Sequence, residues 1–106
     1  MRTGIVTAIL VGGLQCAACA QDAFPEFKAK VIDANIGKVC YAVTLADVDG
    51  DRRIDIIAVT ENRVLWYQAP DWKKRVIIED QTERDNVCIA AADIDGDGQA
   101  DFALGA

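Results

Sequence analysis

The sequence predicts an all-β chain of antiparallel strands arranged in repeated units, and three observations carry that prediction. The chain matches itself when displaced by 46 residues, so that residues 42–57 fall on residues 88–103 with every aspartate on an aspartate. Its apolar stretches are short and rich in β-branched and aromatic residues, and Asp/Gly turns separate them. A period of about 45 residues suits either a four-stranded propeller blade or a two-helix unit of the HEAT type. The absence of any helix-period segment after residue 20 selects the blade. The expected architecture is therefore antiparallel β-propeller blades, an incomplete propeller of fewer than two full blades, behind an N-terminal signal helix.

The first twenty residues read as that signal. Arg2 supplies positive charge, residues 4–14 (GIVTAILVGGL) are uncharged and apolar, and Ala18-Cys19-Ala20 fits a small-residue cleavage site. The run is too short for a bilayer span, which needs about 20 apolar residues. Export is expected, to a secreted, periplasmic or cell-surface location, with Gln21 as the new N-terminus and no stable membrane span after cleavage. Residues 21–106 then form the folded part, in approximate units 27–80 and 81–106.

Within them, residues 27–32 (FKAKVI) alternate apolar and polar, as a strand does. Residues 39–46 (VCYAVTLA) and 54–60 (IDIIAVT) are mostly apolar, the pattern of strands buried on both faces. Residues 63–68 and 74–79 are two further strand candidates, joined by an Ala69–Trp72 turn that contains Pro70. Residues 86–92 and 100–104 repeat the second and third of these strands.

Charge narrows the function. The whole chain holds 11 basic and 17 acidic residues, for a net charge of −6, and no histidine. Such a field repels a phosphate backbone, so no nucleic-acid partner is expected. Histidine-based acid–base chemistry is excluded, and no Ser or Cys lies beside a base. Cys40 and Cys88 remain after signal removal. Each reads most simply as a small buried strand residue; a bridge between neighbouring units stays open, because their offset keeps the same strand face.

The chemistry lies in two aspartate loops. Each reads Asp-x-Asp-Gly-Asp-x-x-x-Asp, first at Asp47, Asp49, Asp51 and Asp55, then at Asp93, Asp95, Asp97 and Asp101. Four carboxylates converging in a tight turn repel one another, and a bound cation removes that repulsion. Oxygen-only ligation indicates Ca2+. The backbone carbonyls of Arg53 and Gln99, at position 7, are expected to add a ligand each. Arg52 stands where the second loop has Gly98. If that position needs positive φ, a side chain costs about 1 kcal/mol or more, so the first loop is expected to bind more weakly. A helix-loop-helix calcium site is excluded, because position 12 is Ala58 or Leu104 rather than an acid.

Residues 47–59 (DVDGDRRIDIIAV) and 93–105 (DIDGDGQADFALG) resemble FG-GAP or VCBS repeats, the integrin-α-like β-propeller blades of secreted bacterial proteins. Residues 64–77 are similar to the aromatic strand and Pro/Trp turn that follow the calcium loop in such blades. The resemblance implies a calcium ion in each loop, held by the aspartates named above. It also implies a ring of about seven blades, since propellers have roughly 4–8. A chain of fewer than two units is thus expected to be a truncated product or the first fragment of a longer propeller, with an uncovered apolar face.

The leading functional expectation is a secreted, calcium-stabilised, non-catalytic segment for binding or adhesion, with an extracellular protein or a carbohydrate as ligand. The alternative is the N-terminal fragment of a sugar-active propeller enzyme of the lyase or dehydratase type, without activity of its own. Trp66, Tyr67 and Trp72 are expected to serve packing rather than sugar stacking. Lys73, Lys74 and Arg75 are expected to form a solvated strand start.

Overall fold

The computed structural model describes residues 23–106. The expected signal helix and its cleavage site, within residues 1–20, lie outside them. The described residues contain no helix. Strands β1 (Cys40–Ala46), β2 (Asp55–Thr60), β3 (Arg63–Gln68) and β4 (Lys73–Glu79) form one antiparallel meander in chain order. Strands β5 (Cys88–Ala92) and β6 (Asp101–Gly105) form a second, two-stranded antiparallel sheet.

Local chemistry accounts for the turns. Thr60 and Arg63 close the β2–β3 hairpin, with the Arg63 N–H donating to Thr60 Oγ1 at 3.1 Å. The β3–β4 turn carries a cis Ala69–Pro70 peptide and Trp72 at φ 60°. The two aspartate loops make the β1–β2 and β5–β6 turns, as the repeat requires. Register repeats as well: Ala46 faces Asp55 and Ala42 faces Val59, while Ala92 faces Asp101 and Cys88 faces Gly105. A side chain at Gly105 would overlap the Cys88 thiol.

The pleat divides the first sheet into two apolar faces. On one, Ile57, Val59 and Val64 are buried, and the half-buried Ala42 and Ala46 of β1 and Ile89, Phe102 and Leu104 of the second sheet pack against them. Register slips between Val64 and Leu65, leaving Ile77 as an extra residue. Both Ile77 and Ile78 reach this face as a result. On the other face, Ala58, Leu65 and Tyr67 are covered by Ile32, Ile36 and Trp72.

Three expectations fail. Residues 27–32 form no strand. Phe24 and Phe27 are exposed, and the chain instead lays Ile32 and Ile36 across the sheet. Alternation alone makes no strand: the segment pairs with neither edge of the first sheet, β1 or β4, and crosses its face instead. Strand β1 is buried on one face only: Val43 and Leu45 are 60% and 63% exposed. The two cysteines sit on β1 and β5 but are exposed, not buried, and their thiols are free.

Candidate metal centres

Each aspartate loop is wound around its first carboxylate. Asp47 Oδ1 accepts the N–H groups of Gly50 and Asp51 at 2.8 and 3.2 Å, and its Oδ2 accepts that of Arg52 at 2.7 Å. Asp93 repeats this with Gly96, Asp97 and Gly98 at 2.7, 3.1 and 2.9 Å. The side-chain acceptors replace a backbone ladder and fix the turn. Positive φ is needed twice in each loop: Gly50 and Arg52 stand at 76° and 67°, and Gly96 and Gly98 at 79° and 86°. Arg52 therefore occupies the left-handed conformation that its counterpart meets with glycine.

One carboxylate oxygen from each of Asp47, Asp49 and Asp55 lies within 4.8 Å of the other two, and the same holds for Asp93, Asp95 and Asp101. Oxygens bound to a single calcium ion are at most about 5 Å apart, given Ca–O distances of roughly 2.3–2.6 Å. The donors are all carboxylate oxygens, with no nitrogen or sulfur among them. The residues present thus fit a hard divalent cation. Asp51 and Asp97 stand outside these triads, and each turns Oδ1 to the N–H two residues on, Arg53 and Gln99 respectively, at 2.8 Å. The position-7 carbonyls belong to those same two residues, between Asp51 and Asp55 and between Asp97 and Asp101.

The two centres differ in their surroundings. Asp55 is fully buried at the head of β2, its oxygens accepting the Val48 N–H at 3.1 Å and the Ala69 N–H at 2.8 Å. Asp101 is only partly buried, and one of its oxygens takes the Ile94 and Asp95 N–H groups at 2.8 and 3.4 Å. The first loop also receives a side chain that the sequence did not single out. Gln68, at the end of β3, donates Nε2 to Asp49 Oδ2 at 2.6 Å. Arg75 donates to the Gln68 side-chain Oε1 from Nε and one terminal nitrogen at 2.9 and 2.8 Å. The Arg75 guanidinium in turn lies over the Trp66 ring, 5.3 Å from its centroid. Partial desolvation pushes Asp49 upward, but the Gln68 and Asp51 hydrogen bonds outweigh it and hold the carboxyl below its ordinary range. Gln68 and Arg75 gave no motif signal, because each acts across strands.

Tyr67 is buried and Trp72 packs on the sheet, as packing aromatics do. Lys73, Lys74 and Arg75 open β4, where Lys74 pairs with Asp33 at 2.6 Å. Neither the curated proteins nor the solved structures give a significant match to this chain. A family model described as an FG-GAP-like repeat matches residues 47–104, from the first aspartate of the first loop to Leu104 in β6. With more than half of its length matched, the chain belongs to the FG-GAP-like repeat family.

Proposed function

We propose that the chain is a calcium-stabilised, non-catalytic β-propeller-type segment, exported and used in binding or adhesion. The observation that carries this reading is the pair of equivalent carboxylate triads, Asp47/Asp49/Asp55 and Asp93/Asp95/Asp101. An accidental acidic turn has no reason to recur with the same hydrogen bonds 46 residues on. The family supports a propeller-type binding segment. Calcium supplies charge neutralisation: it lets three carboxylates converge without mutual repulsion. The chain's own residues do the positioning, with Asp47 and Asp93 closing the loops and Asp55 and Asp101 anchoring them to the sheets. The Arg53 and Gln99 carbonyls and the second oxygens of Asp51 and Asp97 supply further donors. The ligand proposed for the segment is an extracellular protein or a carbohydrate.

Calorimetric titration of the chelator-treated chain with calcium tests the reading. Two binding events are expected, the tighter one weakened about tenfold or more in Asp93→Asn. A cation held at tenfold over its dissociation constant stabilises the fold by about 1.4 kcal/mol, raising the melting temperature. No heat of binding, with identical melting in chelator and in calcium, would remove the proposal.

A further inference from the structure

We propose that Arg75 is a positioning residue that sets the calcium affinity of the first aspartate loop, by fixing which end of the Gln68 amide faces Asp49. Such control presupposes the calcium-binding reading of that loop. A side-chain amide has a donor end and an acceptor end of the same shape, so its hydrogen-bond partners decide its orientation. Here Gln68 Oε1 accepts from two Arg75 nitrogens at 2.9 and 2.8 Å, and Nε2 donates to Asp49 Oδ2 at 2.6 Å. A guanidinium donates only, and it keeps its charge throughout the pH range of a folded protein. With Arg75 in place, the nitrogen is therefore the end that meets Asp49.

Arg75 is committed to this contact. Among the described residues it forms no ion pair; the paired cations are Lys74 and Arg84. In a chain of 17 acidic and 11 basic residues, it gives two donors to a neutral amide instead. Strand pairing sets the arrangement. Arg75 faces Trp66 in the β3–β4 register and lies 5.3 Å from its ring centroid. Gln68 stands two residues beyond Trp66, on the same face of β3. The guanidinium is thus held between the ring and the amide.

For the loop the consequence is competition. The amide hydrogen puts partial positive charge on an Asp49 oxygen, and so relieves part of the carboxylate crowding that a cation would relieve. Calcium gains less by entering a loop already eased in this way. Released from Arg75, the amide is free to turn over and offer its neutral Oε1 to the same carboxylates' cation, an oxygen of the kind calcium takes as ligand. Arg75 thus keeps the first loop in its calcium-poor arrangement. Its removal is expected to tighten binding there.

Calorimetric titration of the full chain with calcium tests this, with Asp93→Asn and Asp95→Asn introduced so that the first loop is read alone. In that background Arg75→Met and Gln68→Ala are each expected to tighten binding about tenfold, the low end for a hydrogen bond to an ionised partner. The double variant is expected to bind no more tightly than Gln68→Ala, because Arg75 acts only through the amide. Misfolding does not imitate a gain in affinity. Should Arg75→Met still lose cooperative melting, Arg75→Lys replaces it, keeping the charge and losing the planar fork. Unchanged or weaker binding in either single variant overturns the proposal. So does an equal gain from Arg75→Met in the Gln68→Ala background, which would mean that charge alone acts. If neither loop of the wild-type chain takes up calcium, the calcium reading falls and this proposal with it. If the second loop binds while no Arg75 variant tightens the first, only this proposal falls.

Discussion

Gln68 reaches back from the end of β3 to Asp49 in the first aspartate loop, its amide nitrogen 2.6 Å from the carboxylate. That bond joins the loop to the Arg75–Trp66 pair on the neighbouring strands. It places a neutral donor among three converging carboxylates and offsets part of their repulsion when no cation is present. Gln68→Ala is expected to lower the melting temperature more in chelator than in calcium, widening the gap between the two melting curves. Equal shifts in both buffers would mean that Gln68 serves packing alone.

Arg52 stands at φ 67°, in the conformation that Gly98 takes in the second loop. A side chain there costs roughly 1 kcal/mol. Arg52→Gly also removes a cation beside the Asp47 carboxylate. The variant is expected to gain about 0.5–1 kcal/mol of stability, within the range for a left-handed position, measured by urea unfolding. Calcium titration is expected to show the first loop binding more tightly than in the wild-type chain.

Asp93 organises its loop by accepting three N–H groups and also belongs to the triad. Asp93→Asn removes one charge and at least one acceptor, so calcium affinity at the second loop is expected to fall about tenfold or more. Asp47→Asn is expected to act likewise on the first loop only. The two effects are expected to add in the double variant, since the loops share no ligand.

Asp33 accepts hydrogen bonds from Lys74, Tyr67 and the Asn35 N–H, and these hold its carboxyl down at about 2, against an ordinary 3.8. A carboxyl depressed on folding contributes stability above its unfolded value, and loses it as pH falls through the folded one. The contribution is therefore complete above about pH 4 and disappears toward pH 2. Asp33→Asn is expected to cost about 0.5–1 kcal/mol at neutral pH and to flatten that part of the acid unfolding curve. Urea midpoints measured from pH 2 to 7 read both effects.

Ile57 is fully buried where the two sheets meet. Ile57→Ala is expected to cost about 2–5 kcal/mol, a large part of the stability of a chain this small. Loss of cooperative melting in chelator, with partial recovery in calcium, is the expected outcome by circular dichroism.

Most strands and both loops were legible in the sequence because their signals are local. Residues 54–60 and 63–68 announce themselves by β-branched and aromatic content, and the aspartates by strict spacing. The strand expected over residues 27–32 failed because pairing depends on a neighbour, which alternation does not encode. Burial of β1 on both faces failed for the same reason: the apolar run at Val43 and Leu45 shows an appetite for contact, not its fulfilment. Gln68 and Arg75 stayed hidden because their partners lie 19 and 7 residues away in sequence, joined only by strand pairing.

The pairing of Cys88 with Gly105, where no side chain fits beside the thiol, takes on meaning beside its counterpart, Ala42 with Val59. In one hairpin the bulk comes from the second strand, and in the other from the first. The same cross-strand space is filled twice with the sizes exchanged. Neither partner is free to drift alone: enlarging position 105 collides with the thiol, and shrinking position 59 opens a hole beside Ala42. In sequences descended from this one, positions 88 and 105 should therefore be inherited as a couple, as should 42 and 59.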